Sequence, residues 1–232
     1  SAGLIALGID EGDQLVAVKI TDGTKDIMIA TKSGISIRFP ESDVRSMGRA
    51  AYGVKGITLE DGDEVVGADV VENGTAIMTV TENGYGKRTM ESEYRSQSRG
   101  GKGVYDIKTS ERNGQVSGIV QVKDEDEVML LTNGGMLIRL KVNEVSVIGR
   151  NTQGVRLISL ESENEKVTAI SKLPEVTGEA EVEGGGEVEI DQVKLGGPSA
   201  TDSNASADNV PGDTGDIPEP GETPDGTPED EE

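Results

Sequence analysis

The sequence predicts an all-β fold, a propeller-like partial ring of four-stranded blades about 50 residues long, followed by a disordered acidic tail. Three observations predict it. Glycines recur with a fixed period: Gly3, Gly53, Gly103 and Gly154 each open a short apolar run, and Gly34, Gly84 and Gly135 each close a turn. Arg38, Arg88 and Arg139 stand four residues after those turn glycines, so the spacing is 50 or 51 throughout. The runs between are short and β-branched, a strand composition without helical periodicity.

The repeats divide residues 1–176 into blades at 1–47, 48–97, 98–148 and an incomplete 149–176. In the first blade Leu4–Ile9 and Asp13–Val18 read as strands, and Asp26–Thr31 with Ile35–Phe39 as a hairpin. The second carries Val54–Leu59, Glu64–Val71 and a hairpin of Thr75–Thr81 with Tyr85–Met90. Its Asn83-Gly84 turn suits the positive φ of a tight hairpin. The third repeats the plan with Val104–Thr109, Gln115–Val122 and the pair Val128–Thr132, Met136–Val142. The fourth opens with Val155–Leu160 and ends at Leu173-Pro174. A four-stranded sheet cannot bury both faces alone, so the blades must stack on one another.

The charge is unevenly divided. Residues 1–176 carry 21 Lys and Arg against 27 Asp and Glu, and residues 177–232 carry 1 against 17. The acidic balance of the whole chain therefore describes its tail and does not argue against a nucleic-acid partner for the body. Six of the eight prolines lie between Pro198 and Pro228, amid Gly, Ser, Thr and acids, a composition too poor in apolar side chains to offset the entropy of ordering. Residues 198–232 read as disordered; the weakly alternating 179–195 admits a strand but fits disorder better.

Side-chain alternation places the cations. Ile35, Ile37 and Phe39 share one face of their strand and Arg38 takes the other; Met136, Ile138 and Leu140 share a face opposite Arg139 and Leu137. A single such arginine is ordinarily a solvated surface group. Three in register, joined by the corner residues Arg49, Arg99 and Arg150, read as a continuous basic track. The corner Gln97-Ser98-Arg99-Gly100-Gly101-Lys102-Gly103-Val104 is its densest point, with glycines that let backbone approach a partner closely and cations suited to phosphate. The candidate nucleic-acid-binding residues are Arg38, Arg49, Lys55, Lys87, Arg88, Arg95, Arg99, Lys102, Arg139, Lys141 and Arg150.

Several function classes are excluded by composition. There is no Cys, so no disulfide framework and no thiolate site, and no His, the commonest general base and metal ligand. The acids Asp61 and Asp63, and those of 124–127, fall in turns where solvated carboxylates are ordinary. Gly84-Tyr85-Gly86 before Lys87 has no helix after it and is not a nucleotide-phosphate loop. No catalytic or metal site and no cofactor is assigned. No apolar run approaches the roughly 20 residues of a membrane span, and no membrane partner is expected. The chain begins with Ser inside a repeat and reads as a C-terminal piece of something longer, in a cytoplasmic setting.

Over about residues 2–173 the sequence resembles the C-terminal domain of the DNA gyrase A protein. The carriers are Gly48-Arg49 with Gly53-Val54-Lys55-Gly56-Ile57, Thr81 to Thr89, Glu93-Tyr94-Arg95, Thr109 to Gly114, and Gly149 to Val155. The resemblance implies a β-pinwheel whose blades exchange strands, and a role in wrapping double-stranded DNA around a basic rim to support ATP-dependent negative supercoiling. It implies partners: the N-terminal breakage-reunion domain of gyrase A, and gyrase B, in an A2B2 heterotetramer, in a bacterial, nucleoid-associated setting. ATP and Mg would be used by those other parts. Gln97 to Gly103 resembles the family's Q-R-R-G-G-K-G heptapeptide with Ser98 in second place, but at an internal blade. Nothing matches the breakage-reunion tyrosine; Tyr52, Tyr85, Tyr94 and Tyr105 lie within the repeats. Two alternatives stand beside this reading: the C-terminal domain of the corresponding DNA-cleaving protein of topoisomerase IV, and, from another class, a propeller-like scaffold for protein partners.

Overall fold

A computed structural model of the protein describes residues 3–173. The expected tail disorder at 179–195 and 198–232 lies outside the described residues.

The ordered elements are all strands apart from three single 3-10 turns. They are β1 (Asp26–Thr31), β2 (Ile35–Pro40), β3 (Val65–Val71), β4 (Ala76–Thr81), β5 (Tyr85–Met90), β6 (Val104–Tyr105), β7 (Val116–Val122), β8 (Glu127–Thr132), β9 (Leu137–Lys141), β10 (Val155–Arg156) and β11 (Val167–Lys172). They form three sheets, in the orders β3-β1-β2-β6, β10-β5-β4-β7 and β11-β8-β9.

A sheet is therefore not one repeat. Each of the first two hairpins takes one strand from the repeat after it and, at its other edge, a two-residue strand from the repeat after that. The expected runs 104–109 and 155–160 shrink to Val104–Tyr105 and Val155–Arg156 because the corner stays in register with its hairpin for only two residues, as in Ile35 opposite Tyr105. The expected strands at Leu4–Ile9, Asp13–Val18 and Val54–Leu59 do not form. Their counterparts pair with a hairpin of an earlier repeat, and among the described residues no hairpin precedes β1. Backbone that lacks a ladder partner gains nothing from the extended register, and Leu15 stands exposed where the equivalent Val116 is buried.

The sheets stack face to face. Met28, Ala30 and Val71 of the first pack on Ile77, Tyr94 and Ile119 of the second. Met78, Val80, Val120 and Val122 of the second pack on Val128, Leu130 and Val142 of the third. The central hairpin is thus buried on both faces, and every residue of β4 is buried. This decides the site, because the outward face of a middle strand is the packing surface of the next sheet.

Candidate nucleic-acid interface

The eleven candidate cations separate into two groups. Arg38, Arg88 and Arg139 do occupy equivalent places, each opposite a methionine of its hairpin partner: Met28, Met78 and Met129. Yet the first two point into the stack. Arg38 donates from Nε to Asp26 at 2.6 Å and from Nη1 to the carbonyl oxygens of Glu91 and Tyr94 in the following repeat. Arg88 donates from Nε to the Val145 carbonyl at 2.6 Å and pairs with Asp124. The segments they hold run alongside them as parallel bridges, Arg38 with Ser96 and Arg88 with Val147. These two arginines latch one blade to the next and leave the track read from the alternation. The correction has one physical cause: alternation tells two faces apart, but not which of them meets water. Arg139 meets no fourth sheet among the described residues and stays exposed, paired with Glu127.

Lys87 is the second correction. It has no solvent exposure, and its ammonium lies 3.6 Å from Asp106, 2.7 Å from Thr89 Oγ1, and within reach of the Gly149 and Arg150 carbonyls. Asp106 also accepts from Thr79 at 2.7 Å and from the Tyr94 hydroxyl at 2.5 Å. Burial pulls the Lys87 ammonium below its ordinary value, against the pull of Asp106, and burial followed by Asp106 pushes the Tyr94 phenol up. A cation so enclosed cannot reach a phosphate.

The other cations sit at corners and edges, where the backbone leaves the sheets. Three hydrogen bonds one repeat apart join successive corners: Gly8 N–H to the Ala51 carbonyl, Thr58 to Gly101, and Lys108 to Thr152. Two arginine contacts repeat in the same way: Arg99 donates to the Lys55 carbonyl, and Arg150 donates at 2.9 Å to that of Tyr105 in the preceding corner. Arg49, Lys55 and Lys102 are exposed along this run, with Arg99 and Arg150 partly so. Lys102 faces only Glu60, 3.7 Å away with both side chains solvated, a pair worth little. Arg95 and Lys141 are exposed as well, off the run of corners.

The corner glycines serve the fold first. Gly103 has φ of 78° and Gly154 of 76°. A Cβ on Gly154 would come within 2.7 Å of the Gly86 carbonyl oxygen, and one on Gly103 would collide with that of Ser36. The Gly100 N–H is not free either, since it donates to the Gly56 carbonyl. The close approach that these glycines permit is that of the chain to itself.

Sequence reasoning missed two exposed cations, Arg112 and Arg156, which lie 5.0 and 5.4 Å from the centre of the Tyr85 ring. Arg112 aligns with Asp61 and Glu163, so periodicity gave no signal for it, whereas Arg156 follows the repeat glycine at the same place as Lys55 and Tyr105 and was passed over. No helix among the described residues is long and apolar enough to cross a membrane.

Comparison with known proteins follows the same repeat boundaries. A family model described as the DNA gyrase C-terminal domain, beta-propeller, matches residues 1–22, 25–72, 75–123 and 126–174. The DNA gyrase A protein of Buchnera aphidicola is 59% identical over 172 residues, which are 74% of this chain and 21% of that protein. Among solved structures, a DNA gyrase A C-terminal domain superposes with a TM-score of 0.69 at 27% identity, covering 74% of this chain and 58% of the other. The C-terminal domain of a DNA topoisomerase IV superposes with 0.68 at 28% identity, covering 72% and 52%. The chain spans about a fifth of the length of the curated relatives it matches.

Proposed function

The chain belongs to the DNA gyrase C-terminal domain family, and from that membership we propose that it binds duplex DNA along its run of corners and bends the duplex around them. The observation that carries the reading is the hydrogen-bonded series of corners, which sets Arg49, Lys55, Arg99, Lys102 and Arg150 along one course at repeat intervals. Cations fixed at regular spacing suit phosphates, which position a duplex without reading its sequence. In this reading the chain does no chemistry of its own. It serves as the wrapping module of a gyrase in an A2B2 assembly with the breakage-reunion domain and gyrase B, and those parts would use ATP and Mg. The setting is the cytoplasm, beside the nucleoid. Topoisomerase IV shares the fold equally well by TM-score; the relatives named gyrase A, at up to 59% identity, favour gyrase.

The test is duplex affinity across a salt series. Arg49→Ala with Lys102→Ala removes two exposed cations that hold no corner together, whereas loss of Arg99 would also loosen the Lys55 contact. The expected result is weaker binding to all duplexes alike, with the log–log salt slope lower by about 1 per lost phosphate contact. A wild-type chain without salt-dependent duplex binding would overturn the reading in favour of a protein-binding scaffold. Strong discrimination between unrelated sequences of equal flexibility would overturn the phosphate mechanism.

A further inference from the structure

The middle blade holds a second cationic feature apart from the corners. A cleft of about 580 Å³ opens beside the β4–β5 turn, walled by Tyr85, Arg112, Arg156 and the loop that leads to Lys166. Tyr85 is buried, and its hydroxyl accepts from both exposed arginines: Arg156 Nη2 at 2.9 Å and, at the long limit, Arg112 Nε at 3.4 Å. Both guanidiniums also lie over its ring. Glu111, Glu161, Glu163 and Glu165 line the same cleft, yet among the described residues neither arginine forms an ion pair with a carboxylate. Two like charges therefore converge on one neutral oxygen while acids nearby leave them unpaired.

We propose that Arg112 and Arg156, braced by Tyr85, form a clamp for a single phosphate group. The clamp rests on the reading of the chain as a DNA-binding module and adds to it a contact away from the corners. A tetrahedral anion between the two guanidiniums receives fork-like donors from both and relieves their repulsion. The ring fixes both arginines beforehand, so little rotamer freedom is lost on binding. The site occurs once in the described residues: Ile35 and Met136 replace Tyr85 in the neighbouring repeats, and Asp61-Gly62 and Glu163 stand in the turns equivalent to that of Arg112. The two arginines also lower the Tyr85 phenol from its ordinary value, Arg112 first and then Arg156, which gives the site a spectroscopic handle.

The phosphate is either a phosphodiester of the duplex or a free anion, and two measurements on the whole chain separate them. The first follows Tyr85 ring resonances, assigned with Tyr85→Phe, while pyrophosphate or a short duplex is added. Saturable shifts are expected with both ligands, and both should vanish in Arg112→Gln/Arg156→Gln. The second compares duplex affinity of that double variant with Lys25→Gln/Lys32→Gln, which makes the same change of net charge. The clamp variant should bind about tenfold more weakly than this control at low salt, and Arg112→Lys/Arg156→Lys should recover part of the loss. Equal affinity of the clamp variant and the control, with wild-type binding intact, overturns the duplex contact and leaves the corner reading standing. Tyr85 shifts with pyrophosphate in a chain that binds no duplex would support the clamp and overturn the corner reading. No Tyr85 response to either ligand overturns the clamp. Far-ultraviolet circular dichroism confirms that each variant is folded.

Discussion

Lys87 occupies a position that is Ile37 in the repeat before and Ile138 in the repeat after. Its partners follow the same rule: Thr79 stands for Ile29 and Leu130, Thr89 for Phe39 and Leu140, Tyr94 for Val44 and Val145, and Asp106 for Gly56 and Leu157. Five positions that carry apolar groups or glycine in the flanking repeats have become one buried polar network, and such networks are costly when any member is left unsatisfied. Tyr94→Phe removes one donor to Asp106 and is expected to destabilise by about 1–3 kcal/mol near neutral pH. The pH dependence has a definite sign. The folded value of the Tyr94 phenol is raised, so its contribution is complete below the ordinary tyrosine value of about 10 and is lost as pH climbs beyond it. The gap between wild type and Tyr94→Phe in urea unfolding should therefore narrow above about pH 10. Lys87, lowered by burial, acts in the opposite direction but is common to both proteins and cancels. A gap that stayed constant would remove the phenol from the network.

At the scale of the element, the latch arginines are tied to the exchange of strands. Each donates across a sheet–sheet interface to carbonyls at the 3-10 turn that follows the next repeat's hairpin. Arg88→Ala should orphan the buried Val145 carbonyl and cost about 1–3 kcal/mol. Arg139→Ala, at the same place in the hairpin but on an exposed face, should fall within about 0.5 kcal/mol of wild type. Urea unfolding midpoints check the contrast, and equal losses would mean that Arg88 does not latch the blades. The same pair should also differ in duplex binding, with Arg139→Ala the more affected of the two if its open face takes part.

For the whole molecule, the prediction concerns the tail. Residues 177–232 carry 17 acids against 1 lysine, tethered to a body whose corners present cations. A tether of this kind gives local concentrations on the order of millimolar, enough for the acids to compete with DNA. Truncation after Pro174 should tighten duplex binding most at low salt, with the gain shrinking as ions screen both competitors. Equal affinity of the truncated and full chains at low salt would leave the tail a solubility role alone.

The period of 50 or 51 residues was written in the glycines, and with it the strand content, the hairpins and the equivalence of Arg38, Arg88 and Arg139. These are local properties: a turn needs its glycine, and a strand shows its two faces by alternation. The corner cations were legible for the same reason, since a corner stays at the surface in whatever stack the sheets adopt. Which sheet each strand joins was not legible, because β6 and β10 pair with hairpins more than 60 residues earlier and short apolar runs fit any neighbour. Nor was the fate of the second face. Only the stacking of the sheets turned Arg38 and Arg88 into latches and enclosed Lys87 with Asp106, although polar residues in otherwise apolar positions marked that network in the aligned repeats. Only the pairing of β10 with β5 brought Arg156 to Tyr85, 71 residues apart in sequence.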